Sequence, residues 1–149
     1  MKVGELCTRE VVIIEKNASV FEAAKLMRNF HVGDIVVVEP HPDDRIPVGI
    51  LTDRDIVVEL IAGGVDLQSV TVGDVISYEL ITALEDDDVI ETVKRMRSKG
   101  VRRIPVVNSR GGLEGILSLD DLLDLLAEQL NDIVSLIKRE QKEEEEKCV

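Results

Sequence analysis

The chain repeats itself, and the repeat limits what it can fold into. Gly49-Ile50-Leu51-Thr52-Asp53-Arg54-Asp55-Ile56 returns as Gly115-Ile116-Leu117-Ser118-Leu119-Asp120-Asp121-Leu122. Val3-Gly4-Glu5-Leu6 matches Val72-Gly73-Asp74-Val75. Ser19-Val20-Phe21-Glu22-Ala23-Ala24-Lys25-Leu26-Met27-Arg28 matches Asp88-Val89-Ile90-Glu91-Thr92-Val93-Lys94-Arg95-Met96-Arg97, and Ile35-Val36-Val37-Val38 matches Ile104-Pro105-Val106-Val107. Self-similarity of this length points to one small supersecondary unit built twice, its copies packed on a core that neither closes alone.

In both copies of the central motif a glycine opens a short apolar run, the pattern of a buried strand. A hydroxyl residue follows, then two residues, then an aspartate at the head of an apolar helical stripe. Thr52 and Asp55, like Ser118 and Asp121, therefore stand at an N-cap and the third helical position. Two readings fit. One is a capping box, in which hydroxyl and carboxylate satisfy free backbone N–H groups of the first turn. The other is a ligand pocket at a strand-to-helix junction, where glycine permits close approach and the helix end offers donors.

The first copy begins with a strand near residues 11–14. Ser19-x-x-Glu22 then caps a helix whose Val20, Ala23, Ala24, Met27 and Phe30 form one apolar face. Asn29, His31 and Gly33 supply its stop. Residues 35–38 are too uniformly apolar to be half-exposed and form an interior strand. A proline-containing turn at residues 39–45 leads to a strand at 48–51 and a helix over 55–62, stopped by Gly63-Gly64. The second copy replays this with a shorter hairpin at residues 108–112. Its last helix continues a stripe of Leu122, Leu126, Leu130, Ile133 and Ile137 to about Lys138, and residues 142–147 form a solvated tail. The sequence divides as 1–64 for the first repeat, 65–71 for a linker, 72–130 for the second repeat, and 131–149 for a helix extension and charged tail.

The order of strand, helix, two strands and hydroxyl-x-x-Asp helix resembles the CBS domain, and the tandem arrangement resembles a CBS pair, or Bateman module. The resemblance implies an α+β fold of two β-α-β-β-α repeats packed about a pseudo-twofold axis, with an extended C-terminal helix. It also implies clefts between the repeats, each near one hydroxyl-x-x-Asp turn. In relatives that bind adenine nucleotides, the motif aspartate takes the ribose hydroxyls and the Thr or Ser supports ribose or phosphate. The candidate nucleotide-binding residues here are accordingly Thr52, Asp55, Ser118 and Asp121. A carboxylate accepts two hydrogen bonds from a diol but repels a phosphate, so a cation must come from elsewhere.

Arg102 and Arg103 lie past Gly100 at the mouth of the strand at residues 104–107, where the family often places phosphate ligands, and Arg suits bidentate phosphate contacts. Gly33 and Asp34 hold the matching positions of the first repeat, and Asp34 faces Arg103 across the repeat and opposes a phosphate. By resemblance the base is walled by Cys7 and Val12 in one repeat and by Ile76 and Ile81 in the other; core packing is the competing reading. The module is expected to be a stand-alone cytoplasmic sensor binding AMP, ADP or ATP, with S-adenosylmethionine or NAD as alternatives. It needs no cofactor, forms a homodimer and signals to an unidentified protein effector. A rival from another class is an assembly protein that uses the C-terminal helix and keeps only vestigial pockets.

Composition narrows the field further. A net charge of −12 argues against a duplex nucleic-acid surface and against anionic membranes. No apolar run approaches the ~20 residues of a membrane span. Met1-Lys2-Val3-Gly4-Glu5 enters the repeat at once, without a signal-peptide pattern. Cys7 and Cys148 match no metal spacing and suit a reducing compartment. His31 and His41 have no nucleophile at a recognisable spacing, and no glycine-rich phosphate loop occurs, so the chain reads as a non-enzyme without catalytic residues. The run Glu85-Asp86-Asp87-Asp88 reads as a solvated turn ending in an N-cap rather than a metal site.

Overall fold

The computed structural model describes residues 1–76 and 79–147; Cys148 lies outside them. The chain falls into two units, Met1–Leu117 and Ser118–Val149. The first unit runs through α1 (Val3–Leu6), β1 (Ile13–Glu15), α2 (Val20–Phe30), β2 (Asp34–Pro40), β3 (Arg45–Thr52), a π-helix (Asp55–Ile61), α3 (Val72–Val75), β4 (Ala83–Leu84), α4 (Val89–Lys99), β5 (Arg103–Val107) and β6 (Leu113–Ser118), whose last residue opens the second unit. These form two three-stranded sheets, β1-β2-β3 and β4-β5-β6. In the first sheet β1 lies parallel to β2 and β3 antiparallel to it. The expected α+β architecture of duplicated units is present.

Capping chemistry repeats along with the strands. Ser19 Oγ accepts the Glu22 N–H and Asp88 Oδ2 accepts the Glu91 N–H, each at 3.1 Å, so α2 and α4 start alike. Both stop in the left-handed region, at His31 (φ 53°) and Gly100 (φ 67°). Val20, Ala23 and Met27 of α2 pack with Ile14, Ile35, Val37 and Leu51 from one face of the first sheet. Phe30 departs from the expected apolar face of α2: it is 60% exposed, because the helix has reached the end of the sheet that covers its other apolar residues.

The helix after the first motif also differs from expectation. Residues Asp55–Ile61 wind as a π-helix, extended by the bond from the Ala62 N–H to Val57 O (3.0 Å), which spans five residues. The run Ile56-Val57-Val58 is β-branched throughout, which weakens its preference for an α-helical turn. Ile56 and Leu60 face the core, while Val57, Val58 and Ile61 are exposed.

The two repeats exchange their leading segments. Val3 N–H donates to Asp87 O and Gly4 N–H to Glu85 O, both at 2.9 Å, so α1 rests on the second repeat. Val72 N–H donates to Ala18 O (2.8 Å) and Gly73 N–H to Lys16 O (2.7 Å), so α3 rests on the first. These are equivalent pairs in the two copies. The glycines that open β3's and β6's apolar runs make room for the exchanged chain. A Cβ on Gly49 would stand 2.9 Å from Ile76 Cβ, and one on Gly115 would stand 2.7 Å from Thr8 O and 2.8 Å from Cys7 Sγ. The motif glycines therefore serve the crossing segments.

Ion pairs tie the repeats at both ends. Arg110 grips Asp44 through Nε (2.8 Å) and Nη2 (3.1 Å), and Asn108 Nδ2 donates to the same carboxylate at 3.0 Å. At the far end Arg103 Nε lies 3.2 Å from Asp34 Oδ2.

The second unit carries α5, Leu119–Lys147, in which no residue is buried. The tail at residues 142–147 is solvent-exposed, as expected, and is also helical, in keeping with its Glu and Lys content and with an Arg139–Glu143 pair at 3.4 Å one turn apart. Among the described residues, no helix is long and apolar enough to cross a membrane.

Candidate ligand site

Strand order brings the candidate residues of the first repeat to one sheet edge. β1 and β2 start there and β3 ends there, so Val12, Asp34 and Thr52 share it. Thr52 and Asp55 form a reciprocal cap: the Asp55 N–H donates to Thr52 Oγ1 and the Thr52 N–H donates to Asp55 Oδ2, both at 3.1 Å. The capping reading is therefore realised. It consumes only one carboxylate oxygen, and Asp55 Oδ1 accepts no hydrogen bond among the described residues.

An arginine of the other repeat reaches this end of the sheet. Asp34 is the direct cross-strand partner of Thr52 in the antiparallel pair, which puts their side chains on one face of the sheet. Arg103 reaches across to Asp34, with side chains 36% and 23% exposed respectively, and makes no other polar contact among the described residues. This meets the expectation that Asp34 faces Arg103. Arg102 is exposed, as is Arg54 in the first turn after the motif. Asp53 N–H donates to Gly33 O (2.9 Å), joining the start of β2 to the motif.

Beside this edge is a cleft of about 750 Å³, lined by residues 9–13, Leu26, Phe30 and Val32. Val12 contributes to it and is also packed against the core, while its carbonyl accepts the Val36 N–H at 3.0 Å. The other proposed base-walling residues are distributed differently from the pairing implied by sequence position. Ile76 belongs with the first sheet, against Gly49 and its core. Cys7 belongs with the second, against Gly115. Segment exchange is the cause, and local sequence carries no sign of it. Ile81 is half-buried in the segment before β4.

In the second unit, Ser118 and Asp121 form the same cap. Ser118 N–H donates to Asp121 Oδ2 (3.0 Å), Ser118 Oγ donates to that oxygen (3.1 Å), and Asp121 N–H donates back to Ser118 Oγ (3.3 Å).

The remaining ionic features are structural. Along the acidic run, Glu85 pairs with Arg9 (2.8 Å), Asp86 with Lys2 (3.3 Å) and Asp87 with Arg95 (3.7 Å), while Asp88 caps α4. Among the described residues, no group of three or more His, Cys, Asp or Glu is arranged to hold a metal ion. His31 caps a helix C-terminus, and His41 lies in the exposed β2–β3 turn with its N–H on Asp44 O (2.9 Å).

Comparison with known proteins adds the following. The family model for the CBS domain matches residues 3–62 and again 72–128. An uncharacterized protein of Methanopyrus kandleri is 35% identical over 125 residues, covering 84% of this chain and 62% of that protein, so the chain spans less than two thirds of its length. The CBS domain-containing protein YhcV of Bacillus subtilis is 35% identical over 120 residues, covering 80% of this chain and 81% of the relative. Among solved structures, an uncharacterized conserved protein from Pyrococcus horikoshii is similar with a TM-score of 0.71 at 29% identity, covering 83% of this chain and 90% of that one.

Proposed function

Because the chain belongs to the CBS-domain family and carries two copies of that domain, we propose that it is a cytoplasmic regulatory module that binds an adenosine-containing ligand and passes its occupancy to a protein partner. The observation that carries this reading is the half-used carboxylate of Asp55. One oxygen caps the helix, and the other is left to accept hydrogen bonds from a ribose diol, while Arg103 of the second repeat reaches the Asp34 that lies opposite Thr52. In this reading the base enters the cleft beside Val12, Leu26 and Phe30, whose apolar walls suit a flat heterocycle. Asp55 and Asp121 are the ribose acceptors of the two motifs, Thr52 and Ser118 their supporting hydroxyls, and Arg102 and Arg103 the cations available to a phosphate. AMP, ADP and ATP are the leading ligands, with S-adenosylmethionine or NAD as alternatives. The module acts as a sensor rather than a catalyst. Calorimetric titration against AMP, ADP, ATP, S-adenosylmethionine and NAD tests it: saturable binding lost in Asp55→Ala and Asp121→Ala together is expected, and no heat from any of the five overturns it.

Self-association belongs to the same proposal. Phe21, Val57, Val58, Ile61 and Ile90 are large apolar side chains exposed on helices of the first unit, which a second copy would cover. Sedimentation at tens of micromolar is expected to show a dimer. The rival assembly reading is favoured by α5, where Leu123, Leu126, Leu130, Ile133 and Ile137 recur at spacings of three and four and are all exposed. A change of oligomeric state on truncation before Asn131, with no ligand bound, would select that reading.

A further inference from the structure

The Asp34–Arg103 pair lies next to the Thr52–Asp55 motif, and its polarity bears on which ligand the site takes. Asp34 shares a sheet face with Thr52, and Arg103 is held by Asp34. The charged groups of the motif and its strand partner are then Asp34, Asp53 and Asp55 against Arg54 and Arg103, an excess of negative charge before any ligand enters. A phosphate here would have to draw Arg103 away from Asp34 and then sit beside two carboxylates.

We propose that Asp34 is a specificity-determining residue that turns the Thr52–Asp55 site away from phosphorylated nucleosides and toward adenosyl compounds whose 5′ group is uncharged or cationic. The physical argument is competition for one cation. Arg103 makes no other polar contact among the described residues, and Asp34 already neutralises its guanidinium. An uncharged 5′ group leaves that pair intact. A cationic one is attracted by the two carboxylates. A phosphate loses Arg103 as a full partner and gains Asp34 as a like charge. The inference rests on the adenosine-binding reading and deepens it by naming the ligand class of one site.

The test uses the full chain with Asp121→Asn, which weakens the other motif, and compares it with the same chain carrying Asp34→Asn. The amide keeps the size of Asp34 and its oxygen, and melting curves of the two proteins establish that both fold. Affinities for adenosine, AMP and S-adenosylmethionine are measured by calorimetry. Asp34→Asn is expected to raise AMP affinity relative to adenosine by about tenfold, and to lower the preference for S-adenosylmethionine over AMP by at least as much. Adenosine binding with an unchanged AMP-to-adenosine ratio overturns the role of Asp34 and leaves the adenosine reading standing. Failure of all three compounds to bind either protein overturns the adenosine reading itself, and this inference with it.

Discussion

Asp34 and Arg103 occupy the same position in the two repeats, and they meet each other, Oδ2 to Nε at 3.2 Å. Equivalent positions that touch must lie beside the axis relating the copies. A second such pair lies at the hairpin end: counted back from Gly49 and Gly115, Asp44 and Arg110 are equivalent, and they too are joined acid to base. The repeats have diverged to opposite charge at both points where each would otherwise face its own likeness.

Reversing one member should therefore be felt, and reversing both should be tolerated. Asp34→Arg is expected to lower stability by about 1 kcal/mol, a modest cost because both side chains are partly solvated. Adding Arg103→Asp is expected to restore most of the loss. Urea unfolding of the two single variants and the double gives the coupling directly, and additive losses would show that the pair does not interact.

The motif glycines offer a packing test. Gly49→Ala places a methyl 2.9 Å from Ile76 Cβ, and the overpacking is expected to cost about 1–3 kcal/mol. Ile76→Ala in the same chain should recover much of it. Gly115→Ala should cost more and resist rescue, since its methyl meets the Thr8 carbonyl as well as Cys7. Chemical denaturation of the three variants beside the native chain checks the order.

The Asp44 clasp makes a prediction about pH. Its hydrogen bonds to Arg110, and secondarily to Asn108, hold the Asp44 carboxyl below the ordinary aspartate value of 3.8. A group whose pKa is lowered by folding contributes stability above its unfolded value and loses that contribution as pH falls through the folded one. The melting-temperature gap between the native chain and Asp44→Asn should be full at neutral pH and close in the acid range, below 3.8. A gap independent of pH would remove the charge from the explanation.

Capping and binding can be separated at the second motif. Asp121→Asn keeps an acceptor oxygen, so the helix start should lose less than the ~1 kcal/mol of a whole cap. A ribose held by a charged acceptor should lose affinity roughly ten- to a hundredfold, in line with ~1.5–3 kcal/mol for such a bond. Melting temperature and AMP titration of the same variant decide between the roles. A lowered melting temperature with intact AMP affinity would leave Asp121 as a cap alone.

Duplication made most of this architecture legible. A match from Val3 to Leu122 requires two like units, and the hydroxyl-x-x-Asp spacing identifies the caps because capping is local chemistry. Asp34 opposite Arg103 was readable for the same reason: aligned copies expose a charge difference at one position. The leader exchange was not readable, since it is carried by backbone bonds such as Gly4 to Glu85 and Gly73 to Lys16, which leave no residue-type signature. Phe30 continued the apolar period of α2 past the end of the sheet that gives the period its meaning. The π-winding at Asp55–Ile61 keeps the same apolar residues inward as an α-helix would over one turn, so periodicity could not tell them apart.

Exchanged leaders also bear on how such a chain arose and how it avoids the wrong company. A lone first repeat would have its leader extended toward a sheet it does not own, and only a second molecule could supply one. Joining two repeats in one chain makes that association independent of concentration. The charge divergence then does separate work. Two first repeats from different molecules would set Asp34 against Asp34 and Asp44 against Asp44, whereas a first and a second repeat satisfy all four residues. In a crowded cell full of nascent copies, the axis itself tells each half which half is its own.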